Sequence, residues 1–206
     1  MNFSRFKVAV LLLAVVTCSV CFLAGCRKST APKTTTAAVT DNGADADKGD
    51  DTKSLEKVIA QRRGWNPILT DTYSKPLPDF KFKDIDGKSH SLADYKGKNV
   101  MIVMWATWCY PCQQEIPHII ALRNLVAEDK LAIVAISNES AETVKATAKS
   151  KKMNYTVVAH NEIPPKPLSS IKGYPTSFFV NPDGTVKLVA EGTLHLGDMK
   201  SIIDAK

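Results

Sequence analysis

Two continuous apolar runs, residues 100–105 and 131–136, constrain this chain more than anything else in it. Neither alternates, so neither can lie with one face in water. Both read as strands buried on two faces of a sheet and covered by helices. Between them Ile116, Ile119, Ile120, Leu122, Leu125 and Val126 recur close to helical spacing. Strand, helix and strand in that order make a right-handed βαβ unit.

The remaining pattern extends this unit into one α/β domain. Residues 140–151 read as a helix, 156–159 as a strand, 177–180 and 185–190 as a hairpin around Asn181-Pro182-Asp183-Gly184, and 196–205 as a closing helix. Upstream, residues 80–84 and 88–92 flank Asp86-Gly87, a two-residue hairpin signal. The acidic residues there also resemble the start of a calcium loop, but its twelfth position falls on Tyr95 instead of a glutamate. Residues 54–63 read as a short helix capped by Ser54 and stopped by Gly64, with Trp65, Ile68 and Leu69 favouring its packing on the domain.

The chemistry is concentrated where the first buried strand hands over to its helix. Cys109 and Cys112 stand there, two residues apart. A helix start carries unpaired N–H groups and partial positive charge, which favour a thiolate over a thiol. Cys109 is thus the attacking thiolate. Cys112, one turn on, resolves the mixed disulfide and closes a Cys109–Cys112 bridge. The alternatives are a structural disulfide, which stabilises little across so short a loop, and half of a zinc site. No second CxxC or HxxxH follows to complete four ligands, so no metal and no cofactor is expected.

The other three cysteines place the domain outside the cytoplasm. Residues 1–25 have a basic start (Arg5, Lys7) and a short apolar run, as a secretory signal does. Leu23-Ala24-Gly25-Cys26 resembles a bacterial lipobox, by which Cys26 receives a lipid; an uncleaved signal anchor is the competing reading. Cys18 and Cys21 leave with the signal, so the redox pair is all that remains for thiol chemistry in an oxidising compartment. Residues 26–53 are rich in Thr, Ala, Lys, Asp and Gly without an aromatic, and read as a lipid-anchored disordered linker. A short helix and connecting segment fill 54–75, and 76–206 form the main domain. The net charge of +6 is spread over scattered lysines, so no nucleic-acid partner is expected.

Several spaced motifs then carry a family resemblance. Trp-Cys-x-x-Cys after an apolar strand, with Gly173-Tyr174-Pro175-Thr176 before a later one, resembles the thioredoxin fold. A closer resemblance rests on Pro78-Asp79-Phe80, Asp86-Gly87-Lys88, Leu92, Gly97-Lys98, Trp105-Ala106-Thr107-Trp108-Cys109, Glu115-Ile116-Pro117 and Pro182-Asp183-Gly184. Together they resemble the TlpA/ResA group of membrane-tethered thiol–disulfide oxidoreductases over about residues 76–206. The resemblance implies a thioredoxin-like fold, a central mixed sheet flanked by helices with an N-terminal hairpin extension. It makes Pro175 a cis-proline facing the disulfide, an ordinary trans proline being the alternative, and leaves the backbone of Tyr174 to pair with an extended substrate. It places Pro117 at a kink of the active-site helix.

By the same resemblance Glu115 takes the place of the buried aspartate that thioredoxins carry in the preceding strand, where this chain has Val103. Three residues along a helix puts Glu115 on the face of Cys112. There it exchanges the Cys112 proton, with its pKa raised by partial burial; an exposed helix glutamate is the alternative. Trp108, Tyr110 and Pro111 complete the substrate-binding set. His118, after the kink, is expected at the surface.

The function so implied is an extracytoplasmic thiol–disulfide oxidoreductase acting on protein disulfides, with a reducing bias, for example toward apocytochrome c cysteines before haem attachment. It needs protein substrates and a transmembrane thiol electron donor. Two other functions remain open. A thiol peroxidase shares the fold but uses a Pro-x-x-x-Thr/Ser-x-x-Cys context that this active turn lacks. A copper or haem carrier would use the two thiols with a histidine.

Overall fold

The structure, a computed structural model, describes residues 54–159 and 164–206. The expected signal peptide, Cys26 and the linker lie outside them, as does His160. The elements run α1 (Leu55–Ala60), β1 (Trp65–Pro67), β2 (Lys81–Lys83), β3 (Ser89–Ser91), β4 (Asn99–Met104), α2 (Tyr110–Leu125), β5 (Leu131–Ser137) and α3 (Ala141–Lys151). Then follow β6 (Thr156–Ala159), β7 (Thr176–Val180), β8 (Val186–Gly192) and α4 (Leu196–Asp204).

Six strands form one mixed sheet in the order β1-β8-β7-β4-β5-β6. The two apolar runs are its centre. β4 pairs parallel with β5 and β5 with β6, while β7 returns antiparallel beside β4. Both parallel crossovers advance the same way across the sheet, so right-handedness puts α2 and α3 on one face.

The buried residues of α1 and α4 (Val58, Met199, Ile202) join α2 and α3 there, against Met101, Val103, Ile133 and Ala135. The alternate strand residues, Val100, Ile102, Val134 and Ile136, face a second core. That core is closed by Leu77, Phe80, Phe82, Leu92 and Leu168, which come from the hairpin and the loops. At roughly 2 kcal/mol per fully buried large aliphatic or aromatic side chain, each face contributes substantially to the fold.

Three local expectations are corrected. The β2–β3 hairpin has a three-residue loop, since the Asp84 N–H donates to the Lys88 carbonyl and the Gly87 N–H to the Asp84 carbonyl. Gly87, at φ +85°, absorbs the extra residue. Asp84 fastens this loop by accepting from the N–H groups of Asp86 and Lys88, both over 2.9 Å. Next, Ser54 stands at the N-cap of α1 but its side chain makes no capping bond. The helix spans only Leu55–Ala60 and is held by packing Val58 beneath it. Last, Leu125 is 61 % exposed although its spacing placed it on the apolar face of α2.

β1 was not legible in sequence. It is a three-residue strand containing Pro67, paired antiparallel with the outer edge of β8. Its approach is close: a Cβ on Gly192 (φ +107°) would come within 2.5 Å of the Gly64 carbonyl oxygen, so only glycine fits.

Candidate active site

β4 delivers the chain through buried Trp105 and Ala106 to Cys109, the N-cap of α2. The Cys109 sulfur accepts from the Cys112 N–H over 3.2 Å, occupying one of the donors that a helix start leaves unpaired. Pro111 sits in the first turn, where a missing N–H costs nothing. Cys109 and Cys112 are joined as a disulfide. Both cysteines are buried, Cys109 at 5 % exposure and Cys112 at 2 %.

A groove of about 400 Å³ opens beside the pair. Trp108, Cys109, Tyr110 and Pro111 form one wall and residues 171–174 the other; among the described residues, Cys109 lines it and Cys112 does not. Trp108 and Tyr110 are the most exposed large apolar side chains described, at 72 % and 73 %. Trp108 meets Tyr174 edge-on, with ring centroids 6.0 Å apart. The second wall is held there by β7, whose Thr176 pairs with Met104 at the end of β4. The Tyr174–Pro175 peptide is cis, as is Lys166–Pro167.

Glu115 lies one turn after Cys112 on the buried face of α2, at 1 % exposure. Its Oε1 accepts from the Leu194 N–H over 2.9 Å, and its Oε2 has no hydrogen-bond partner among the described residues. Burial pushes its pKa up to about 8, against the opposing effect of the Leu194 N–H. Val103 is buried among apolar residues of the same core. Tyr155 also packs there, its hydroxyl without a partner among the described residues, and burial together with the Glu115 charge pushes its pKa up.

Sequence reasoning missed Glu139, which organises the turn before Cys109. Its carboxylate receives the N–H and the hydroxyl of Thr107, each over 2.6 Å, and the Ser137 hydroxyl over 3.0 Å. Gln113 in α2 donates to the Thr107 carbonyl over 3.0 Å. Burial works against the Glu139 carboxylate, but the Thr107 and Ser137 bonds hold its pKa below the usual range. One signal was available: Ser137 and Glu139 lie at the carboxyl end of a buried parallel strand, where open α/β sheets place their sites.

His118 is half-buried, not free at the surface, and its Nε2 lies 3.0 Å from Nδ1 of His195. Among the described residues no three His, Cys, Asp or Glu side chains converge as a metal site would require. No described helix is long and apolar enough to cross a membrane.

The redox pair at a strand-to-helix junction, with a buried carboxyl behind it, sits within a recognisable sequence family: residues 73–189 match the AhpC/TSA family. The chain belongs to the AhpC/TSA family. Within it, the thioredoxin-like protein YneN of Bacillus subtilis (strain 168) is 34 % identical over 153 residues, spanning 68 % of this chain and 88 % of YneN. The thiol–disulfide oxidoreductase ResA of Geobacillus thermodenitrificans (strain NG80-2) is 29 % identical over 129 residues, 62 % of this chain and 74 % of ResA.

Among solved structures, a thioredoxin-family thiol:disulfide interchange protein from Chlorobium tepidum TLS is 31 % identical. It superposes with a TM-score of 0.56 over 62 % of this chain and 92 % of its own. This AhpC/TSA member therefore groups with the TlpA/ResA-like thiol–disulfide oxidoreductases of thioredoxin fold.

Proposed function

We propose that the Cys109/Cys112 pair serves as a reductant of protein disulfides outside the cytoplasm, held to a bacterial membrane by a lipid on Cys26. The observation that carries this reading is the asymmetry of the pair: Cys109 faces the groove, while Cys112 lies inward with the buried Glu115 one turn away. Cys109 as thiolate attacks a substrate disulfide. One substrate sulfur leaves with its electron pair, and the other is held on Cys109. Cys112 then gives up its proton and attacks the Cys109 sulfur, releasing the substrate as a dithiol and closing the bridge.

Glu115 is the partner for that proton. Burial raises the Glu115 carboxyl to about 8, so it holds a proton far more tightly than an exposed carboxyl does, which suits it to take the Cys112 proton and to give it back. When a donor reopens the bridge, neutral Glu115 supplies the proton back. Trp108, Tyr110, Pro111 and Tyr174 form the contact surface, and Pro175 sets the second wall. The groove suits an extended segment such as a cysteine-bearing apocytochrome c. A transmembrane thiol carrier regenerates the dithiol.

Substrate trapping tests this reading. The Cys112→Ser full chain should accumulate a mixed disulfide through Cys109 with an oxidised apocytochrome c peptide, and Cys109→Ser should accumulate none. Trapping through Cys112 instead would overturn the assignment.

A further inference from the structure

Two adjacent residues stitch the β8–α4 connection to the redox helix. Leu194 gives its N–H to Glu115, and the ring of His195 meets the ring of His118. Glu115 and His118 are three apart on α2, so the two contacts lie side by side along one face. They differ in setting: the Leu194 bond is buried and the imidazole pair is at the rim, with ring centroids 4.8 Å apart. The His195 main chain is fixed independently, its N–H donating to Asp198 over 3.1 Å and its carbonyl accepting from the Met199 N–H. Its ring stands in the capping box at the start of α4 and also reaches across to α2.

We propose that His118 and His195 are positioning residues for Glu115: their ring-to-ring hydrogen bond holds the Leu194 N–H on the carboxyl that exchanges the Cys112 proton. The inference rests on the reading of Glu115 as the proton partner of Cys112. Pro117 sharpens the need for such a tie. A proline has no N–H to give to the preceding turn, so α2 lacks one of its own bonds just before His118.

Among the described residues the Leu194 N–H is the one donor on Glu115, and an N–H bond favours the charged carboxylate. Losing it therefore raises the proton affinity of Glu115 further. The other titratable groups in this region are Cys112 on α2, Tyr155 beneath Glu115, Asp198 on α4, and Arg63, which shares a surface cavity with His195. β4 contributes Met101 and Val103 to this core, neither of them titratable.

The test is a titration of the full chain in its disulfide form, where no thiol competes. With glutamate labelled with 13C at its carboxyl carbon, the Glu115 resonance is identified as the one missing in Glu115→Gln. The wild-type midpoint is expected near 8. His118→Ala and His195→Ala should each raise it, on the order of half a pH unit or about threefold in proton affinity. His118→Gln should restore it, because an amide can pair with His195 yet carries no charge; recovery thus separates the hydrogen bond from any electrostatic effect of an imidazolium.

An unmoved midpoint in both alanine variants would overturn the clamp. So would a fall, which would make the ring pair a seal against water. If His118→Ala does not fold, His195→Ala decides, with His195→Asn, which keeps a capping side chain at the start of α4 but is too short to reach His118, expected to raise the midpoint alike. Failure of the Glu115 reading itself shows differently, as an unchanged resolving rate in Glu115→Gln.

Discussion

Thr107 donates to Glu139 twice, from its main-chain N–H and from its hydroxyl, each over 2.6 Å. The two residues are 32 apart in sequence, and their contact ties the turn that presents Trp108 and Cys109 to the end of the neighbouring strand. Glu139→Ala leaves both Thr107 groups without this acceptor, at a cost on the order of 2 kcal/mol. Chemical denaturation of the oxidised protein reads that loss. Turnover of a protein disulfide should fall several-fold while reduction of a small aromatic disulfide is largely kept, because docking of the exposed wall is disturbed more than the thiol.

Glu115 makes a pH-dependent prediction with a definite sign. Its folded pKa, about 8, lies above the ordinary 4.5. Between those values the unfolded chain has released a proton that the folded chain retains, so stability declines as pH rises through this window. Above about 8 the whole penalty of a buried carboxylate is present. Glu115→Gln should flatten the stability–pH curve there and stabilise the oxidised form at pH 9 relative to wild type. In the same variant the resolving step slows at least tenfold, whereas alkylation of Cys109 hardly changes. Equal slowing of both would remove Glu115 from the proton exchange.

The hairpin in the second core carries a polar chain of its own. His90 lies 3.0 Å from Asp84 and 2.9 Å from the Tyr95 hydroxyl, and its ring stacks on Phe82. Burial opposes the Asp84 carboxylate, but bonds from His90, Lys88 and Asp86 outweigh it and hold its pKa below 3.8. Its contribution is therefore present above 3.8 and lost as pH falls through the lower folded value. Asp84→Asn should cost about 1–2 kcal/mol at pH 7 and less at pH 2, as measured by thermal unfolding at both values.

Trp108 stands 72 % exposed and meets the edge of Tyr174. Trp108→Ala should thus leave stability within about 0.5 kcal/mol of wild type. It should raise KM for an extended peptide disulfide several-fold with little change in kcat. A collapse of kcat instead would show that the ring shapes the thiol chemistry and not the docking.

The candidate site was legible in sequence where the signal was local. A buried strand, a CxxC and a glutamate three residues on are all within one supersecondary unit, and residues 156–159, read as a strand, form β6. What escaped depends on pairs distant in the chain. Glu139 meets Thr107 across 32 residues and His118 meets His195 across 77, and neither partner marks the other in sequence. β1 escaped for another reason: three residues with a proline have no period, and it exists because the β8 edge accepts it. The hairpin loop was placed correctly but miscounted, because Asp84 spends its side chain on the loop and Gly87 takes the left-handed position.

The reduction potential of the Cys109–Cys112 couple, measured on the full chain equilibrated against graded thiol buffers, tests the central claim most directly. A reductant regenerated by a membrane thiol carrier should lie near −270 mV or below. A value near −120 mV would make the pair an oxidant and contradict the account.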